Sequence, residues 1–128
     1  MVTASTNKIK VSVETFYQPD YSYPRSQHFM FAYRIRIENN SNDTIQLLRR
    51  HWYIVDALGH HREVEGEGVI GEQPIIRKDE KYEYISGCDL RTDMGKMFGT
   101  YLMENLHTGK VFHVIIPEFY MIAPMKLN

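Results

Sequence analysis

Hydrophobic residues recur at every second position over most of this chain, and the runs of that alternation divide it into strands. Over residues 27–38, Phe29, Phe31, Tyr33, Ile35 and Ile37 fall on one side while Arg34, Arg36 and Glu38 fall on the other. That pattern predicts a strand with one buried and one wet face, the clearest in the chain. Ile9, Val11 and Val13 predict an earlier strand over 8–14, followed by a polar loop over 18–26 that bears Pro19 and Pro24. Ile45, Leu47, Trp52 and Ile54 predict another strand over 44–57. The cluster Asn39-Asn40-Ser41-Asn42-Asp43 suits a turn, because Asn and Asp tolerate left-handed backbone and bond their own main chain. The strands on either side of it are therefore expected to form a hairpin.

After a turn at Ala57-Leu58-Gly59, a short polar strand is expected over 60–65, then strands over 80–85, 97–106 and 111–122. His107-Thr108-Gly109-Lys110 is the tight turn between the last two, and residues 94–98 have room for one helical turn. About seven strands without βαβ alternation predict an all-β fold, an immunoglobulin-like or fibronectin type III-like antiparallel β-sandwich. The Cys, Trp, Cys spacing of true immunoglobulin domains is absent, which directs the comparison to disulfide-free sandwiches. With no repeat, low-complexity tract or linker, residues 1–128 read as one domain.

Composition adjusts this picture only in part. A chain of 128 residues buries roughly two thirds of its unfolded surface on folding, enough for a conventional core. Nine Tyr and six Phe agree with strands. Fifteen basic and sixteen acidic residues leave a formal charge of -1, so no global field draws in nucleic acid nonspecifically or an anionic membrane. Cys88 has no partner for an internal disulfide, no charged-then-apolar leader opens the sequence, and apolar runs such as Val114-Ile115-Ile116 are too short to span a bilayer. A cytoplasmic protein without membrane insertion is expected.

The segment Gly66-Glu67-Gly68-Val69-Ile70-Gly71 carries a GxGxxG, which in a dinucleotide-binding fold follows an apolar strand and opens a helix that holds the pyrophosphate. Here the upstream strand, His60 through Glu65, is polar, and Pro74 keeps Gln73 out of helical geometry. What survives is a glycine-amide nest for a small anion or a nucleotide polyphosphate, with Gly66, Gly68 and Gly71 giving amides and Arg49, Arg50 and Arg62 giving charge. Against it stand Glu63, Glu65, Glu67 and Glu72, each repelling an anion by about 0.5 kcal/mol at about 8 Å in water. The competing reading gives these glycines positive φ angles or a bulge between strands.

Other constellations are weaker. His51, His60, His61 and Glu63 are residue types that suit a divalent ion, but adjacent strand residues point to opposite faces, so His60 and His61 do not share one easily. Asp56 and His51 lack a nucleophile at recognisable spacing, and Ser86-Gly87-Cys88 is not a G-x-S-x-G elbow. No catalytic residue, metal ligand or cofactor is assigned, and Cys88 reads as a small packed residue. Tyr17, Tyr21 and Tyr23, in the loop with Pro19 and Pro24, are candidates for a partner surface.

Six segments in order carry a resemblance: Phe31-Ala32-Tyr33-Arg34-Ile35-Arg36-Ile37, Gln46-Leu47-Leu48-Arg49-Arg50-His51-Trp52, the stretch from Gly66 to Pro74, Tyr84-Ile85-Ser86-Gly87-Cys88-Asp89-Leu90-Arg91-Thr92, Met94-Gly95-Lys96-Met97-Phe98-Gly99-Thr100-Tyr101, and Ile116-Pro117-Glu118-Phe119. Together they resemble the bacterial ApaG family across nearly the whole chain. One departure is Lys78-Asp79, where the family tends to carry a Pro-Gly turn. The resemblance implies a fibronectin type III-like sandwich, a genetic association with cobalt resistance and magnesium efflux, and kinship with partner-binding modules of larger eukaryotic proteins. It brings no catalytic residues. The function expected is a noncatalytic module that binds another protein and touches cobalt and magnesium homeostasis indirectly. Two alternatives are a binder of small phosphate-containing anions through the glycine loop and a direct divalent-cation binder.

Overall fold

The computed structural model of the protein describes residues 1–124. Nine strands appear there: β1 (Val2–Thr6), β2 (Ile9–Tyr17), β3 (Phe29–Asn39), β4 (Ile45–Asp56), β5 (His61–Glu67), β6 (Ile75–Ile76), β7 (Lys81–Leu90), β8 (Met94–Asn105) and β9 (Val111–Ile122). They form an antiparallel sandwich, with β1-β2-β3-β7 as one sheet and β5-β4-β8-β9 as the other, β6 pairing with β4. The alternation read from the sequence is the burial pattern observed, strictly so in β3, where every odd residue from Phe29 to Asn39 is buried. The two strands beyond the expected seven are β1, which is mostly exposed, and the two-residue β6; neither carries enough apolar alternation to register as a strand.

Two expectations are corrected. β3 and β4 are not a hairpin, since β3 pairs with β2 and β7 while β4 pairs with β5, β6 and β8. The intervening Asn-rich turn carries the chain from one sheet to the other. Both strands face the same core, and alternation is identical whether the next strand pairs or crosses. Residues 94–98 are strand rather than a helical turn. Gly95 and Gly99 occupy inward positions of β8 where neighbouring backbone comes close: a Cβ on Gly99 would sit 2.0 Å from the His51 carbonyl oxygen.

Asn39 fixes the crossing. Its side chain is fully buried, donates from Nδ2 to the Asp43 and Ile76 carbonyls at 2.8 and 2.9 Å, and accepts at Oδ1 from the Ser41 amide and hydroxyl. Every hydrogen-bonding capacity of a buried amide is thereby met. The departure at Lys78-Asp79 leaves a tight turn in place. Asp79 adopts φ 64, Glu80 donates its amide to the Arg77 carbonyl, and a positive φ at the third position is what glycine supplies in a type II turn.

Between the sheets, Trp52 packs edge-on to Tyr33, Tyr101 and Phe119 at centroid distances of 5.5, 6.4 and 5.9 Å. The Tyr84 and Tyr101 hydroxyls hydrogen-bond each other across the core, joining β7 to β8, and burial raises both phenols above their ordinary pKa. Tyr101→Phe is expected to cost about 2 kcal/mol, because it strands the Tyr84 hydroxyl in the core. The double variant Tyr84→Phe/Tyr101→Phe should be less destabilised than the sum of the singles; strict additivity in urea unfolding would refute the coupling.

The sandwich has unequal flanks. On one, β1 and β2 pack against β9, and the Ile115 amide donates to Thr6 Oγ1 at 3.1 Å. On the other, β5 and β7 are the free ends of their sheets and do not pair. The candidate site lies along that open flank.

Candidate functional site

Strand alternation assigns the charges of the glycine segment to two sides. In β4, Arg50, Trp52 and Ile54 turn toward the core; the cross-strand partners of these residues in β5 are Gly66, Val64 and Arg62. Glu63, Glu65 and Glu67 consequently lie on the outer face, where His51 sits between two of them, its Nδ1 2.9 Å from Glu65 and its Nε2 3.4 Å from Glu63. His51 also stacks on Tyr53, and Tyr53 on Phe98, so this outer face carries an aromatic row.

Arg49 and Arg50 follow a register irregularity between Leu47 and Arg49 and, as adjacent strand residues, point to opposite faces. Arg49 is exposed on the outer face. Arg50 enters the open flank, where Nη1 donates to the Glu67 and Gly68 carbonyl oxygens at 3.0 Å each. Gly66 makes room for it, since a Cβ at that position would stand 2.9 Å from Nη1. Arg62 closes the flank further along by donating from Nη2 to the Asp89 carbonyl at 2.7 Å and the Cys88 thiol at 3.3 Å.

The three glycines thus do three jobs. Gly66 clears space for a guanidinium. Gly68, at φ 60, gives its amide to the Leu48 carbonyl at 2.8 Å. Gly71, at φ 73, follows Ile70 at φ 49 in a two-residue turn closed by reciprocal Val69 and Glu72 backbone bonds of 2.8 and 2.9 Å. Two successive positive φ values make this a type I′ hairpin turn. The segment is built from turn and strand geometry, and no helix follows it.

Three adjoining cavities of about 280, 350 and 280 Å³ run along the open flank. Arg62 borders the first and second, and Arg50, Tyr33, Trp52 and Ser86 border the second and third. Tyr33 and Ser86 are cross-strand neighbours in β3 and β7. Burial raises the Tyr33 phenol, with the Ser86 hydroxyl pulling the other way. Burial likewise pushes the Cys88 thiol up to about 11 against the opposing pull of Arg62, so Cys88 is a protonated, unreactive wall at neutral pH.

A second exposed feature is the loop after β2, built from two short 3₁₀ turns, Pro19–Tyr21 and Pro24–Ser26. Ser22 anchors it, its hydroxyl donating to the Gln18 carbonyl at 2.7 Å and accepting from the Met30 amide at 2.8 Å. Tyr23 and His28 exchange backbone hydrogen bonds, with Gln27 left-handed between them. Tyr21 and Tyr23 stand out from this fixed loop at 67% and 63% exposure. Tyr21 borders a shallow cavity of about 450 Å³ with Gln18, His28, Met30 and Ala32.

The model of the ApaG domain matches residues 19–105. This chain belongs to the ApaG domain family. It is 48% identical over 124 residues to the protein ApaG of Paramagnetospirillum magneticum, covering 97% of this chain and 95% of that one. To the ApaG of Acidithiobacillus ferrooxidans it is 47% identical, with 91% of each chain covered. The crystal structure of the putative ApaA protein from Bordetella pertussis matches with a TM-score of 0.88 at 40% identity, covering 97% of this chain and 98% of that chain. No helix among the described residues of this ApaG domain is long and apolar enough to cross a membrane.

Of the residues singled out from sequence, the ApaG structure brings Arg50, Arg62 and Gly66 to one flank, places Arg49 on the outer face, and uses Gly68 and Gly71 in the adjoining turn. His60 stands away from His51, its Nδ1 3.5 Å from Asp56 at the tip of the β4–β5 hairpin. Among the described residues no group of three or more His, Cys, Asp and Glu is arranged to hold a metal ion. Sequence reasoning missed Tyr33 and Ser86 as cavity residues. Their alternation shows only that they face inward, and which strand ends border an open flank depends on pairing.

Proposed function

We propose that this ApaG domain is a noncatalytic module that docks a protein partner through the Tyr21–Tyr23 loop, acting in the cytoplasm. The observation that carries this reading is that two tyrosines, each about two-thirds exposed, project from a loop already held by Ser22 and by the Tyr23–His28 bridge. Tyrosine offers large contact area at low entropy cost, and a loop ordered in advance removes much of the penalty of binding. The apolar hollow beside Tyr21, with Met30 and Ala32 in its floor, supplies the pocket into which an anchor side chain from the partner fits.

On this reading the association with cobalt and magnesium passes through the partner. The two carboxylates nearest His51 approach opposite nitrogens of its ring, so they do not converge on one ion. Affinity capture with the wild-type domain and with Tyr21→Ser/Tyr23→Ser, each checked for the same melting temperature, tests the proposal. A specific partner should be retained by the wild type and lost at least ten-fold by the variant. Identical sets of bound proteins would refute it.

A further inference from the structure

We propose that the open flank between β5 and β7 is a binding site for a phosphate group, centred on Arg50. Read as a linear string, the glycine segment has four glutamates against one arginine, and an anion has no reason to approach it. Folded into β5, the same string turns Glu63, Glu65 and Glu67 outward and Arg62 inward, while β4 adds Arg50 from the facing position; Glu72, past the turn, accepts a hydrogen bond from the Tyr82 hydroxyl at 2.9 Å and borders neither Arg50 cavity. The inner side of the segment is cationic although its sequence is acidic.

Arg50 is also held in advance. Two backbone carbonyls fix Nη1, and the missing side chain of Gly66 gives the guanidinium its place. Its partners are carbonyl oxygens, and among the described residues no carboxylate pairs with it. The edge formed by Nε and Nη2 makes no hydrogen bond to the described residues and matches the spacing of two oxygens on one anion. Ser86 and the buried Tyr33 hydroxyl border the same 350 Å³ cavity, and Arg62 adds a second positive charge at its far side. Two guanidinium groups and two hydroxyls give more donors than the two oxygens of a carboxylate use, so a tetrahedral oxyanion is the better match. Negative charge in the cavity wall is limited to Asp89, which Arg62 already faces at 3.7 Å.

The site differs from a glycine-amide nest, because the Gly68 amide is committed to Leu48 and the recognition comes from side chains. It is also separate from the Tyr21–Tyr23 loop, so a Tyr21→Ser/Tyr23→Ser variant should keep it intact. The phosphate group can belong to inorganic phosphate, to pyrophosphate or to a nucleotide, and the test separates these sources.

Titration of the ¹⁵N-labelled chain with inorganic phosphate, pyrophosphate, ATP and acetate, at about 0.15 M ionic strength, should produce saturable amide shifts at Arg50, Arg62, Ser86 and Cys88 with at least one phosphate compound. Acetate should be at least ten-fold weaker. Pyrophosphate and ATP binding equally would assign recognition to the phosphates; stronger ATP binding would add the nucleoside. Arg50→Gln should weaken binding about ten-fold or more, and Arg49→Gln, on the outer face, should leave it unchanged. Gly66→Ala keeps both arginines but displaces the Arg50 guanidinium, so it should weaken binding with the fold retained, which guards against misfolding of Arg50→Gln. The proposal is overturned if phosphate and pyrophosphate leave these amides unmoved at millimolar concentration, if acetate binds as well, or if Arg49→Gln costs as much as Arg50→Gln.

Discussion

Gly68→Ala is expected to destabilise the domain by about 3 kcal/mol, Gly71→Ala by about 1 kcal/mol, and Gly66→Ala by less than that. The order follows from what a Cβ would meet. At Gly68 it would lie 2.0 Å from the Glu72 carbonyl oxygen, in a residue whose φ is already 60°, so the turn backbone has to shift as well as adopt a strained conformation. At Gly71 the φ of 73° imposes the conformational cost alone, for no atom stands within 4 Å. At Gly66 the obstacle is the end of the Arg50 side chain, which can turn aside, giving up its carbonyl bonds, without any shift of backbone. With roughly 4 °C per kcal/mol for a domain of this size, melting temperatures should fall by about 12, 4 and under 4 °C. Equal losses at Gly68 and Gly71 would show that φ strain alone governs the segment and that the close approach of Glu72 does not matter.

The second large effect is expected at Asn39. Asn39→Ala removes four side-chain hydrogen bonds and leaves the Asp43 and Ile76 carbonyls and the Ser41 amide without them, a loss of about 3 kcal/mol. Asn39→Asp is nearly isosteric yet should be worse at neutral pH. It replaces the NH₂ that serves two carbonyls with an acceptor, and it buries a charge. Both effects favour the protonated carboxyl, so the pKa of the introduced acid is raised in the folded state above its unfolded value of about 3.9. Its best stability is therefore present below pH 4 and is lost as pH rises through the folded pKa. Unfolding midpoints of Asn39→Asp that do not approach those of Asn39→Ala on acidification would count against this account of the buried amide.

Alternation made most of the architecture legible. The five odd-numbered residues from Phe29 to Ile37 and the three from Ile9 to Val13 are the core positions in β3 and β2. Pairing was less accessible, because Asn39 to Asp43 has turn composition whether the chain reverses within a sheet or crosses between sheets. At the crossing the structure places a buried amide bonded to Ile76, thirty-seven residues away, a partner that local composition does not reveal. The candidate site was half legible for the same reason. Arg50, Arg62 and Gly66 stood out as residue types, yet their common location depends on the register of β4 with β5. Tyr33 and Ser86 lie there because β7 ends its sheet. Residues 94–98 had room for a helical turn; they are strand, with Gly95 and Gly99 used for close strand packing, which only the neighbours reveal.

The unequal flanks carry a consequence for motion. Along one side the sheets are joined by packed strands and the Thr6–Ile115 bond, whereas along the other the clasps are side chains, Arg62 reaching to Cys88 and Asp89 and the Tyr82 hydroxyl reaching to Glu72. A structure fastened this way is expected to open like a book held at its spine, with local separation beginning at the β5 margin before the core gives way. The width of the Arg50 cavity is then a property of an ensemble, and an anion that bridges the two margins acts as a fastener.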